Sequence, residues 1–109
     1  DFVFIDDAIE ATIRAAIADV TPGTVINIGG GKGHAIAHAA QTVLDLMGNP
    51  VALKIGARET RTDEIWKYSA DISTAKSVLG WTPSTPFREG LLKTIEWYTE
   101  NQELAHTLP

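Results

Sequence analysis

Three short runs rich in β-branched and aromatic residues, at positions 2–5, 24–28 and 51–55, are each bounded by turn chemistry. Two of them lead directly into an amphipathic helical pattern. Strands alternating with helices imply a mixed fold, yet three strands are too few for a complete sheet. The first run, Phe2-Val3-Phe4-Ile5, meets Asp6-Asp7 and then Glu10, a possible helix N-cap with a box-like acid. Ile9, Ile13 and Ile17 then recur at helical spacing as its apolar stripe. The second run ends in Gly29-Gly30-Gly31-Lys32-Gly33 and passes into a helix whose Ile36, Ala40, Val43, Leu44 and Met47 share one face. Gly48-Asn49-Pro50 stops that helix.

Val51, Leu53 and Ile55 alternate with Ala52 and Lys54, as in a strand with one buried face, and a polar loop from 56 to 64 follows. Asp71 is expected to cap a short helix that turns Ile72, Ala75, Val78 and Leu79 inward and closes at Gly80. Trp81 then reads as a hydrophobic plug between two helices. Thr85-Pro86 opens a last helix, striped by Phe87, Leu91, Ile95 and Tyr98 through about residue 103, and the tail to Pro109 carries no ordered pattern. The expectation is an α+β fold of three short strands and four helices, forming one domain over residues 1–109. The chain opens on a strand-like run without an initiator Met, as a piece of something longer would.

Composition narrows the chemistry. With no Cys there is neither a disulfide framework nor a thiolate nucleophile. Nine Lys and Arg stand against fourteen Asp and Glu, giving a net charge of −5 with the cations scattered, which argues against nucleic acid. No apolar run approaches the roughly 20 residues that span a bilayer, so no membrane partner is expected and a cytoplasmic setting is. The Gly-rich loop sits where a phosphate could bind, but it matches neither a dinucleotide fingerprint nor a Walker loop, and it reads as a turn using positive φ. His34 and His38 lie four apart without a third ligand, and helical angle places them on a solvated face, so no metal site is expected. Asp6-Asp7 and Asp63-Glu64 read as caps and loop solvation. Arg58 and Arg61 share one polar loop and could fork onto a pyrophosphate.

In order, Asp1-Phe2-Val3-Phe4-Ile5-Asp6-Asp7, Asn27-Ile28-Gly29, Arg61 with Glu64 and Tyr68, Ala70-Asp71-Ile72-Ser73, Leu79-Gly80-Trp81-Thr82-Pro83 and Glu89-Gly90-Leu91 resemble the C-terminal third of the extended short-chain dehydrogenase/reductases. These are the NAD-dependent nucleotide-sugar epimerases and dehydratases. The resemblance implies a substrate-binding lobe in which Arg61 grips the diphosphate of a nucleotide sugar while Glu64 and Tyr68 line the pocket. Thr62, Asp63 and Glu64 depart from the Pro, Gly and Asp that the family favours there. The family's Thr-Gly-x-x-Gly-x-x-Gly cofactor loop and Tyr-x-x-x-Lys catalytic pair have no counterpart: Ile72 stands four residues after Tyr68, and Gln102 four after Tyr98. The resemblance thus implies a parent enzyme, expected to be a homodimer, whose N-terminal Rossmann lobe binds NAD and performs the chemistry. No catalytic residue and no cofactor site are expected in this chain itself. The alternative is a non-catalytic small-ligand or protein-interaction module derived from the same lobe.

Overall fold

A computed structural model describes residues 1–105 of the chain. The expected patternless tail to Pro109 lies, at 106–109, outside the described residues. The helices are α1 (Ile5–Ile17), α2 (Ile36–Leu46), α3 (Ser73–Leu79), α4 (Phe87–Glu100) and α5 (Gln102–Ala105). All four expected helices are present. The last of them breaks at Asn101, leaving α5 as a separate turn.

The three expected strands are absent among the described residues, and the strand part of the α+β expectation is corrected accordingly. Positions 2–4, 24–28 and 51–55 form no sheet, because no backbone hydrogen bond joins any two of these runs. A strand exists only through a partner's N–H and C=O groups, so β-branched composition without a neighbouring ladder leaves irregular chain. Ile5, read as strand, instead begins α1.

Helix α1 packs on α3, and α2 on α4. Between α1 and α3 lies the core: Ala11, Ala75, Leu79 and Trp81, with Val3, Ala15, Ile26, Ile28 and Ile72 against it. Trp81 is 1% exposed, the largest fully buried side chain among the described residues, and its indole N–H has no hydrogen-bond partner among them. Its burial is favoured by apolar area, which outweighs about 1–3 kcal/mol for an unmade bond. Gly80 takes φ 59°, the left-handed C-cap that a side chain would resist, and the Trp81 N–H donates back to the Ala75 carbonyl. Arg14 of α1 closes the same helix end, donating from Nη1 to the Gly80 carbonyl at 2.8 Å and to that of Leu79 at 3.3 Å.

Asp7 departs from its expected role. Helix α1 has no side-chain N-cap, and the Asp7 carboxylate is 3% exposed and turned toward the chain before α4. It accepts from the Ser84 hydroxyl at 2.8 Å, the Thr85 N–H at 2.9 Å and the Ser84 N–H at 3.2 Å. Burial alone would raise its pKa, but these donors outweigh burial and hold the carboxyl below its ordinary value.

Much apolar surface stays uncovered. The radius of gyration is 16.9 Å, against about 13 Å for a compact domain of this length. The accessible surface is 8598 Å², roughly 2,700 Å² more than a compact protein of this mass exposes. Ile5, Ile9, Ile13 and Ile17 form one stripe along α1 that is 49–81% exposed, because α1 packs instead through Ala11 and Ala15. Ile36, Val51 and Ile55, also expected inward, are exposed as well. No helix among the described residues is long and apolar enough to cross a membrane.

Asp7 supplies a pH test. Its folded pKa lies below the unfolded value, so its contribution is complete above the unfolded value, about 4, and is lost as pH falls through the folded one. Asp7→Ala should cost about 1–3 kcal/mol at pH 7 in urea unfolding. Asp7→Asn should flatten the loss of stability between pH 5 and pH 3, values bracketing the ordinary carboxylate range. An unchanged acid limb in that variant would remove Asp7 from the account.

Candidate functional site

The Gly-rich loop is held by close approach rather than by freedom. Among its glycines only Gly31 has positive φ, at 68°. A Cβ on Gly29 would lie 2.7 Å from that of Ala70, and one on Gly30 would overlap the Phe2 carbonyl. Asp1 fixes this crossing: its Oδ1 accepts from the Gly30 N–H at 2.6 Å and its Oδ2 from the Ala70 N–H at 2.7 Å. The Gly30 amide, one of those a phosphate at this turn would use, therefore already holds a carboxylate.

Beside this crossing a cleft of about 670 Å³ opens between two stretches of chain. One flank is Asp1 with His34, Ala35 and Ile36 at the start of α2, and the other is the 58–68 segment, including Arg58, Arg61, Glu64, Trp66 and Tyr68. The three residues expected to bind ligand, Arg61, Glu64 and Tyr68, thus border one space. All three are exposed. Neither the Arg58 nor the Arg61 guanidinium has a hydrogen-bond or ion-pair partner among the described residues, unlike that of Arg14, which pairs with Glu10 at 2.6 Å. Two unpaired guanidinium groups beside a tyrosine suit an anion carrying a planar or sugar-like body.

His34 is placed differently from the helical reading. Helix α2 begins at Ile36, so His34 precedes it; its ring is half-buried and stacked on Phe87 at 4.2 Å, with Phe2 edge-on at 6.3 Å. His38 remains exposed on α2. The sequence pattern did not single out His34 as cleft-lining, because a helix start moved by two residues changes the face that a side chain occupies. Asp71 is exposed and accepts the Ser73 N–H at 2.9 Å, close to the expected cap; that bond and one with the Ser73 side chain hold its carboxyl below the ordinary value.

No protein-family model matches the chain. It is 30% identical to dTDP-glucose 4,6-dehydratase of Xanthomonas campestris pv. campestris, across 94% of this chain and 31% of that protein. It is 33% identical to UDP-glucuronate 4-epimerase of Thermodesulfobacterium geofontis, across 99% of this chain and 32% of that one. UDP-glucuronic acid decarboxylase 1 of Xenopus tropicalis is 29% identical across 96% of this chain and 24% of its own length. Among solved structures, the Bordetella bronchiseptica enzyme WbmF, in complex with NADH, superposes with a TM-score of 0.78 at 32% identity, over 95% of this chain and 30% of that one. The chain spans about a third or less of the length of these relatives.

The glycine contacts define a paired test. Gly30→Ala should destabilise the fold by about 1–3 kcal/mol, since the added methyl meets backbone that cannot swing aside. Gly33→Ala should be near neutral, because its Cβ would have nothing nearer than the Tyr68 carbonyl at 3.6 Å. Equal melting temperatures for the two variants would refute the close-packed crossing.

Proposed function

We propose that this chain, whose sequence and fold are those of a segment of the extended short-chain dehydrogenase/reductases, is the nucleotide-sugar-binding lobe of an NAD-dependent epimerase or dehydratase. The observation that carries the reading is the cleft lined by Arg58, Arg61, Glu64 and Tyr68, with both guanidinium groups unpaired. Arg61 forks onto diphosphate oxygens, Tyr68 offers a flat face and a hydroxyl, and Glu64 accepts a hydroxyl from the ligand. These contacts supply binding and orientation, holding the sugar against groups carried by another lobe. NAD would take hydride from the sugar in the intact enzyme and would be held by that other lobe; in the Gly29–Gly33 loop the Gly30 N–H is already given to Asp1, which supports this placement.

The uncovered surface supports the same reading. A surplus of roughly 2,700 Å² exceeds the 600–1,500 Å² of an ordinary interdomain contact. The isoleucine stripe of α1 is apolar enough to lie against a lobe of the relatives' remaining length. The same stripe would serve a protein-interaction module of the alternative kind, and ligand binding separates the two readings.

Titration of the chain with UDP-, dTDP- and GDP-sugars, followed by NMR, should give saturable shifts at Arg61 and Tyr68 with one nucleotide. Arg61→Ala should weaken that binding at least tenfold, and Arg61→Lys should restore it only in part because an ammonium cannot fork. Silence toward all three sugars in a folded chain would overturn the assignment and favour the interaction module. Ile9→Ser with Ile13→Ser should cost the isolated chain less than about 1 kcal/mol while lowering its self-association in sedimentation, as exposed positions do. A larger loss of stability would place those isoleucines in the core.

A further inference from the structure

We infer that His34 is a ligand contact in this cleft, donating from its ring edge to a phosphoryl oxygen held by Arg58 and Arg61; the inference rests on the reading of the cleft as a nucleotide-sugar site. Three observations converge on it. The ring is fixed: it is half-buried and stacked on Phe87 at 4.2 Å with interplanar angle 19°, and Phe2 lies edge-on beside it. One ring face is therefore covered by Phe87, while His34 itself lines the cleft. Its polar atoms are also free, since neither ring nitrogen has a hydrogen-bond or ion-pair partner among the described residues.

Charge gives the third reason. The ionisable side chains around the cleft, besides His34 and Tyr68, are Arg58 and Arg61 against Asp1, Glu59 and Glu64, and the Asp1 ammonium is turned to the Tyr68 carbonyl at 3.5 Å. Asp1 is engaged by two amides, but Glu59 and Glu64 still offset both guanidinium groups. A diphosphate adds at least two negative charges, so two arginines on an exposed loop do not balance the site. An imidazole on the opposite flank supplies a further N–H donor, and a cationic one when protonated. It differs from the arginines in being preorganised: Arg58 and Arg61 have long side chains to order on binding, whereas the His34 ring already rests on Phe87. His34 thus acts as the fixed wall against which the arginine loop holds the anion.

Substitutions at one position separate contact from packing. His34→Phe keeps a ring on Phe87 and removes both nitrogens, while His34→Gln keeps an N–H donor and gives up the stack. The probes are inorganic pyrophosphate and the UDP-, dTDP- and GDP-sugars, titrated by calorimetry and by NMR of the imidazole nitrogens. The unaltered chain should show nitrogen shifts that saturate with the Arg61 signal. His34→Phe should bind roughly tenfold more weakly at an unchanged melting temperature, with His34→Gln recovering part of the loss. Equal affinity in His34→Phe, or nitrogen signals that stay still while Arg61 and Tyr68 respond, overturns this inference and leaves the binding lobe standing. Failure of the unaltered chain to bind any probe overturns both.

Discussion

The carboxylate of Asp1 takes the place that a β-ladder would hold in a sheet. By accepting the N–H groups of Gly30 and Ala70, it joins three stretches of chain that are far apart in sequence, where the backbone itself adds only a long 3.5 Å bond from the Asp1 nitrogen to the Tyr68 carbonyl among the described residues. Charge-assisted bonds of 2.6 and 2.7 Å are the strong kind, and here they occur where glycine allows backbone to pass against backbone. The cleft inherits its geometry from that crossing: Ala70 follows Tyr68 by two residues, and Gly30 precedes His34 by four, so pinning both amides sets the spacing of the two flanks. Asp7 repeats the device, binding the chain before α4 to α1 through three donors. Two acids near one end of the sequence thus do by side chain what mixed folds commonly do by backbone.

Local patterns were legible and non-local ones were not. The helices α1 to α4 followed from apolar spacing, and the close of α3 from Gly80, because those signals act within a few residues. The strands failed because a strand depends on a partner that local composition cannot supply. The stripe of Ile9, Ile13 and Ile17 located α1 correctly but misstated what it faces: amphipathicity names an apolar side without naming its occupant. Asp7 was read as a cap for the same reason, its partners lying 77 and 78 residues away.

The candidate site divides along the same line. Arg61, Glu64 and Tyr68 were found through motif resemblance in a segment with almost no regular structure, where periodicity has nothing to say. The other flank was hidden. His34 came to notice only as half of a histidine pair, and its stack on Phe87, a residue 53 positions later, brings it to the cleft wall. The Gly-rich segment before a helix reads from sequence as a turn using positive φ, yet only Gly31 takes positive φ there, and Gly29 and Gly30 serve close approach to Ala70, Phe2 and Asp1 instead.

If the chain is the proposed binding lobe, its small buried core leaves two surfaces with different tasks. The apolar stripe of α1 is laid out on a rigid helix and suits a large, permanent neighbour. The cleft carries charged side chains on an exposed segment opposite the stacked His34 ring, which would suit a ligand that must enter and leave. On the proposed reading, binding energy gathered in the cleft would reach the sugar only if the two surfaces are mechanically joined. The joint runs through the first residues: Asp1 holds the cleft floor, while Phe4 packs on Gly90 of α4 and Asp7 ties α1 to the chain that starts α4. A loosened first segment would therefore weaken ligand orientation and lobe docking together, without touching Arg61 or the isoleucines.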